Sequence, residues 1–169
     1  DLINELNSDK SVTGIILQSP IPKHLDFDKC SSLIDSNKDV DGFTLTNVYN
    51  LYLNRKSILP CTVKGIIKLL EHYNIPIEGA NVVIVGRGNI VGKPLALALE
   101  NRNATVTLCH SKTKNLENYT KQADILVAAA GSPNLIKKDM VKKTSVLIDV
   151  GVTRIDGKIV GDIEKDVYD

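Results

Sequence analysis

The stretch Asn81 to Glu100, NVVIVGRGNIVGKPLALALE, leaves little freedom in how the surrounding chain can fold. A β-branched run, Val82 to Val85, stops at Gly86, and an apolar pattern of helical period resumes by Val91. A short run that is apolar at every residue is a strand buried on both faces, and here it feeds a helix through a glycine turn, as in a parallel sheet. The turn is Gly86-Arg87-Gly88-Asn89-Ile90-Val91-Gly92, a Gly-x-Gly followed by three residues and a third glycine, one residue longer than the usual dinucleotide fingerprint. In such a loop the first glycine turns the chain, the second lets backbone approach a pyrophosphate, and the third seats the helix on the strand. The N–H groups at the helix start then face the anion. A plain strand-to-helix turn can carry the same glycines, so the flanking sequence has to decide.

Downstream, strands are predicted at Thr105 to Cys109, Ile125 to Ala128 and Ser145 to Val150. Helices are predicted over Val91 to Asn101, around Leu116 to Gln122 and near Lys138 to Val141. Upstream, Pro60-Cys61-Thr62 opens a new unit, with Thr62 as N-cap and Val63, Ile66, Ile67 and Leu70 on one helix face until Asn74 and Pro76 end it. This alternation specifies an α/β fold, Rossmann-like, with a doubly wound, mostly parallel sheet and helices on both faces.

The second strand bears on the cofactor. In NAD-binding domains an Asp or Glu at its end bonds the ribose hydroxyls and would repel a 2′-phosphate. Here the strand ends Cys109-His110-Ser111-Lys112-Thr113, with no acid, and Arg87 in the glycine loop offers a planar fork of donors to the same phosphate. These features favour NADP over NAD. His110, at the adenosine end, is expected to be structural rather than catalytic. Small residues at the ends of the last two strands, Ala128 to Gly131 and Asp149 to Val152, leave room for a flat nicotinamide, with Asp149 expected to brace a turn.

The first segment has less to say by itself. A buried strand is predicted at Val12 to Leu17, ended by Gln18-Ser19-Pro20-Ile21-Pro22, which makes Gln18 a candidate at a strand end. Asp26 can cap a helix through Leu33 and Ile34, and Thr46 a short helix carrying Val48, Leu51 and Tyr52. Asp39 and Asp41 flank Val40, so an extended backbone would set both acids on one face, as turn residues, caps or a recognition pair for an N–H-rich heterocycle.

Size and charge narrow the function classes. The 169 residues are 43% hydrophobic, enough to bury a core, and a formal net charge of +1 gives no support for a polyanion surface. No apolar run approaches the roughly 20 residues of a membrane span, so neither nucleic acid nor membrane is expected as partner, and cytoplasm or an organelle lumen is the expected setting. Cys30, Cys61 and Cys109 lie far apart in no paired spacing, which points to reduced thiols and no metal site. The chain opens on Asp1, inside what looks like the end of a helix, and is expected to be a piece of a longer polypeptide.

Taken in order, GIILQSPIP, KDVDGF, PCTVKGI, VVIVGRGNIVGKPLA, ATVTLCHSKTKNL, ADILVAAAGSP and VLIDVGVTR followed by GKIVGDI resemble the bifunctional methylenetetrahydrofolate dehydrogenase and methenyltetrahydrofolate cyclohydrolase family. The resemblance covers nearly the whole chain. It implies NADP-dependent oxidation of 5,10-methylenetetrahydrofolate to the methenyl form, then hydrolysis to 10-formyltetrahydrofolate. It also implies a partial folate-binding catalytic domain at residues 1–59, an NADP-binding domain at residues 60–169, and a homodimer. By position, Gln18 matches the family's active-site glutamine and Asp41 the aspartate that bonds the pterin. Gly86, Arg87 and Gly88 match the pyrophosphate and 2′-phosphate loop, Ser111 the hydroxyl after the second strand, and Val152 the residue whose backbone meets the nicotinamide end.

Two positions depart from the pattern: Ser19 stands where the family usually has leucine, and Gly88 where many members have serine. The family's general-base lysine would lie before Asp1 and is not Lys56, and its Pro-Gly-Gly-Val loop would lie after Asp169. The residues present are therefore expected to lack cyclohydrolase competence. An NAD-dependent dehydrogenase-only relative and a non-catalytic dinucleotide-binding module are the alternatives, and the second would leave Gln18 and Asp41 without a task.

Overall fold

Helix α4 (Cys61–His72) contains the boundary between two compact units, Asp1–Lys64 and Gly65–Asp169. The computed structural model describes residues 1–18 and 20–168, so the expectation for Ser19 falls outside the described residues.

The first unit is held by polar contacts at helix ends. It contains α1 (Leu2–Ser8), α2 (Phe27–Ser32) and α3 (Leu45–Tyr52). The ammonium of Lys38 donates to the carbonyls of Leu6, Asn7 and Asp9, each at 2.7 Å, so one cation satisfies acceptors that the end of α1 leaves open. Asp26 caps α2 as expected, accepting from the Lys29 amide at 3.1 Å. The cap of α3 is Thr44 rather than the expected Thr46, which lies inside the helix. Leu51 of α3 is buried, while Val48 and Tyr52 are exposed.

One further expectation is corrected here, and one open alternative is decided. Val12 to Leu17 forms no strand: Ile15 alone makes a parallel bridge, to Asp39, and Ile16 is 61% exposed. With one neighbour and one buried side chain, nothing extends the ladder. Nor is the Asp39–Asp41 segment extended. It bends so that the Asp39 carboxylate, 2% exposed, accepts from the amides of Gly42 and Thr44 at 2.8 Å and from Asn47 Nδ2 at 2.9 Å. Burial pushes this carboxyl up, but the bonds from Asn47 and the Thr44 backbone outweigh it and leave it below the ordinary range. Holding the Thr44 amide also sets where α3 begins.

The second unit is built on a parallel four-stranded sheet in the order β2-β1-β3-β4, with β1 (Asn81–Val85), β2 (Thr105–Cys109), β3 (Ile125–Ala128) and β4 (Val146–Asp149). Helix α4 begins at Cys61, directly after Pro60, whose carbonyl accepts from the Lys64 amide at 2.9 Å, so Thr62 lies inside the helix rather than capping it. Helix α5 (Gly92–Glu100) crosses from β1 to β2, and α6 (Glu117–Thr120) crosses back from β2 to β3. Right-handed crossovers in opposite directions put the two helices on opposite faces, the doubly wound arrangement. Val83, Val85, Leu126 and Ala128 pack on one face with Ala123, Ile136 and Ile163. Val82, Ile84, Ile125 and Val127, on the alternate face, are all within 1% of full burial. The connection from β3 to β4 holds only a 3₁₀ turn at Lys138–Met140. Beyond β4 the chain forms an antiparallel hairpin, β5 (Thr153–Ile155) and β6 (Lys158–Val160), that periodicity did not predict. Its turn residues Asp156 and Gly157 have φ of 49° and 76°, the signs that a two-residue hairpin turn demands.

Replacing Asp39 by alanine is expected to lower stability near neutral pH by about 2 kcal/mol, because buried amide donors lose their acceptor. A carboxyl whose value is lowered on folding stabilises above its unfolded value, and that contribution disappears as pH falls through the folded value. Urea unfolding of wild type and Asp39→Ala should therefore differ at neutral pH and converge in strong acid. A difference independent of pH would contradict this account.

Candidate functional site at the mouth of the parallel sheet

The four strands end flush. Val85 is in register with Cys109 on one side and Ala128 on the other, and Ala128 with Asp149, so every C-terminal loop leaves the sheet from one line. From β1 the chain crosses outward to β2, and from β3 outward to β4. The gap between β1 and β3 is thus the switch point at which open α/β sheets bind ligands.

Two of the glycines after β1 are required by packing. Gly86 has φ of 122°, and a Cβ there would run into the carbonyl of Ala129 at the end of β3. A Cβ on Gly92 would run into the carbonyl of Gly86, so the start of α5 can close on the loop only without a side chain. Gly88 differs, because a Cβ there would meet nothing within 4 Å. Its lack of a side chain is not needed for packing and leaves open space over the loop. Arg87 is exposed beside it.

After β2, His110 and Thr113 close a small turn. The His110 amide donates to Thr113 Oγ1 at 2.9 Å, and His110 Nδ1 accepts from the Lys112 amide at 3.2 Å. This histidine is committed to holding the loop, and Ser111 and Lys112 are exposed at its tip. Because β1 and β2 are paired in register, Arg87 and Ser111 leave neighbouring strand ends. Burial pushes the Cys109 thiol up, opposed by the Thr113 side chain, so this strand-end sulfur stays a protonated core group.

The far end of the line is β4 and its loop, where Val152 is 67% exposed. From β2 to β4 is three inter-strand spacings, about 14 Å, the scale of an extended dinucleotide. Asp149 does brace a turn: its carboxylate accepts from the amides of Asp162 at 2.9 Å and Ile163 at 3.1 Å. Asp162 is fully buried and accepts from the amides of Ala130, Gly131 and Ser132 at 2.6, 2.9 and 2.7 Å. A Gly-Asp pair after an apolar run carries an ordinary turn signal, and nothing local in the sequence marks this aspartate for burial.

Gln18 and Asp41 belong to the first unit. Gln18 is exposed, three residues beyond Ile15, and Asp41 is half-buried, two residues beyond Asp39. The parallel Ile15–Asp39 bridge sends both segments off in the same direction. Asp41 also meets Cys61, whose thiol is raised chiefly by hydrogen bonding to that carboxylate, with burial adding to it. Among the described residues no group of His, Cys, Asp or Glu is arranged to hold a metal ion, and no helix is long and apolar enough to cross a membrane.

Comparison with known proteins agrees with this layout. Residues 60–169 match the family described as tetrahydrofolate dehydrogenase/cyclohydrolase, NAD(P)-binding domain, and residues 1–41 match its catalytic domain. A bifunctional protein FolD from Clostridium novyi is 56% identical over 163 residues, covering 96% of this chain and 59% of the relative. The solved FolD methylenetetrahydrofolate dehydrogenase/cyclohydrolase of Campylobacter jejuni superposes with a TM-score of 0.95 at 50% identity, over 98% of this chain and 59% of that one. The Trypanosoma brucei N5,N10-methylenetetrahydrofolate dehydrogenase-cyclohydrolase, solved with NADP cofactor and inhibitor, gives a TM-score of 0.91 at 36% identity, over 98% of this chain and 60% of that one. The chain thus spans about 59% of the length of the curated relatives it matches.

The glycine geometry separates two substitutions. Gly86→Ala is expected to cost about 3 kcal/mol or more, since it combines an unfavourable φ with a backbone clash. Gly88→Ser should stay within about 0.5 kcal/mol of wild type, as for an open surface position. Thermal unfolding of both variants checks this, and similar losses at the two positions would contradict it.

Proposed function

Because the chain belongs to the tetrahydrofolate dehydrogenase/cyclohydrolase family, we propose that it forms the NADP-binding unit and part of the folate-binding unit of an enzyme that oxidises 5,10-methylenetetrahydrofolate to the methenyl form and hydrolyses that to 10-formyltetrahydrofolate. The observation that carries the cofactor assignment is the register of Val85 with Cys109, which sets the exposed Arg87 and Ser111 at adjacent strand ends beside the open backbone of Gly88. A dianionic 2′-phosphate suits a guanidinium and a hydroxyl at that place, and the Cys109 to Thr113 turn contains no acid to repel it. NADP fits the donor set present and, when bound, supplies the hydride acceptor.

In this reading Gly86 and Gly88 let backbone N–H groups approach the pyrophosphate, Arg87 and Ser111 hold the 2′-phosphate, and Val152 offers its backbone to the nicotinamide end. Asp41 receives the donor-rich edge of the pterin through charge-assisted bonds, and Gln18 lines the reacting end of the same substrate. Loss of hydride leaves a cationic amidinium on the folate, so the residues have to align two carbons more than move a proton. The partners are tetrahydrofolate derivatives and a second copy of the chain, in the cytoplasm, with neither nucleic acid nor membrane involved. The near-neutral charge and the apolar Val152 and Ile159, each 67% exposed on and beside the hairpin, are in keeping with that.

Calorimetric titration tests the cofactor assignment. Arg87→Ala should weaken NADP at least about tenfold, the loss expected for a charge-assisted pair, and leave NAD within about twofold. Equal losses for the two nucleotides, or tighter binding of NAD by wild type, would overturn it. Formation of NADPH from 5,10-methylenetetrahydrofolate by the full-length protein, reduced by Asp41→Ala, tests the substrate.

A further inference from the structure

We propose that Asp162 is a positioning residue for the nicotinamide half of the cofactor, making the loop after β3 a row of hydrogen-bond acceptors at the mouth of the sheet. The proposal rests on the cofactor reading above and adds a residue and a role to it.

Residues 130–132 are exposed, yet their three successive amides all point inward onto one carboxylate that solvent does not reach. Three successive N–H groups converging on an oxygen pair form the kind of cradle that proteins use for anions. In this chain the cradle is filled from within. A trans peptide directs its N–H and its C=O in opposite senses. Committing the amides of Ala130, Gly131 and Ser132 to Asp162 therefore turns the carbonyls of Ala129, Ala130 and Gly131 away from the buried carboxylate. The first of these carbonyls is the one against which Gly86 packs, so the row begins at the switch point itself.

Asp162 is itself held. Its amide donates to Asp149 at the end of β4, and a side chain on Gly151 would fall on the Asp162 carboxylate. Two carboxylates thereby add side-chain links to the parallel ladder that already joins the ends of β3 and β4. The ligand chemistry that suits such a row is a set of donors: a carboxamide NH₂ and ribose hydroxyls, both present in the nicotinamide half. A nucleotide that lacks that half has no use for it.

The test compares two ligands on one variant. Asp162→Asn keeps the shape but sets an NH₂ group against amide donors. NADP should bind at least about tenfold more weakly, while 2′,5′-ADP, which carries the 2′-phosphate and no nicotinamide, should stay within about twofold. Equal weakening of both ligands, or of neither, would overturn the role of Asp162 and leave the cofactor reading standing. If wild type bound neither ligand, the cofactor reading would fail and this inference with it. Should the variant not fold, amide exchange in wild type decides. Ala130, Gly131 and Ser132 should exchange slowly despite their exposure, and exchange at the rate of an open loop would overturn the proposal.

Discussion

Everything in the second unit depends on β1 having a partner on each side and apolar cover on both faces. Val82 to Val85 are at most 3% exposed, and the strand is hydrogen-bonded to β2 and β3 along its length. A strand so placed has no freedom to slip, because a one-residue shift would carry each side chain to the other face. The flush ends of all four strands follow from that fixed register. So does the position of every loop that could meet a ligand.

The mouth is then finished by polar contacts, which are sensitive to direction in a way that burial is not. On the β2 side a histidine and a threonine close the turn that exposes Ser111 and Lys112. On the β3 and β4 side Asp149 and Asp162 gather backbone amides, Asp162 from a buried position. The first unit uses the same device at Asp39, which gathers the nearby amides of Gly42 and Thr44, and at Lys38, which collects three carbonyls from a segment far back in the sequence. A charged group that satisfies several main-chain atoms fixes loops that have little apolar surface to bury.

How much was legible varied with the kind of interaction. The strands at residues 105–109 and 125–128 were readable to the residue, the second because continuous burial demands continuous apolar sequence, the first from its β-branched residues although only Cys109 in it is buried. Helix starts were less so. Thr44 and Thr46 are chemically equivalent caps, and the choice fell to Asp39, which holds the Thr44 amide. Asp39 and Asp41 could not be ranked from their spacing, because what separates them is a bend that closes on Asn47, eight residues away. Val12 to Leu17 has the composition of a strand, but one bridge and one buried residue do not make a ladder.

By itself the sequence determined the alternation of elements in the second unit, the glycine turn and the absence of an acid after the second strand. These depend on residue type and near-neighbour spacing, which are local properties. Only the tertiary structure decided the order β2-β1-β3-β4, the pairing of the two strands that Arg87 and Ser111 follow, and the burial of Asp162 beneath a loop some thirty residues before it. Each of these joins segments far apart in the chain. Such pairings depend on which faces and donors remain unsatisfied once the sheet has assembled, and no short window of sequence contains that information.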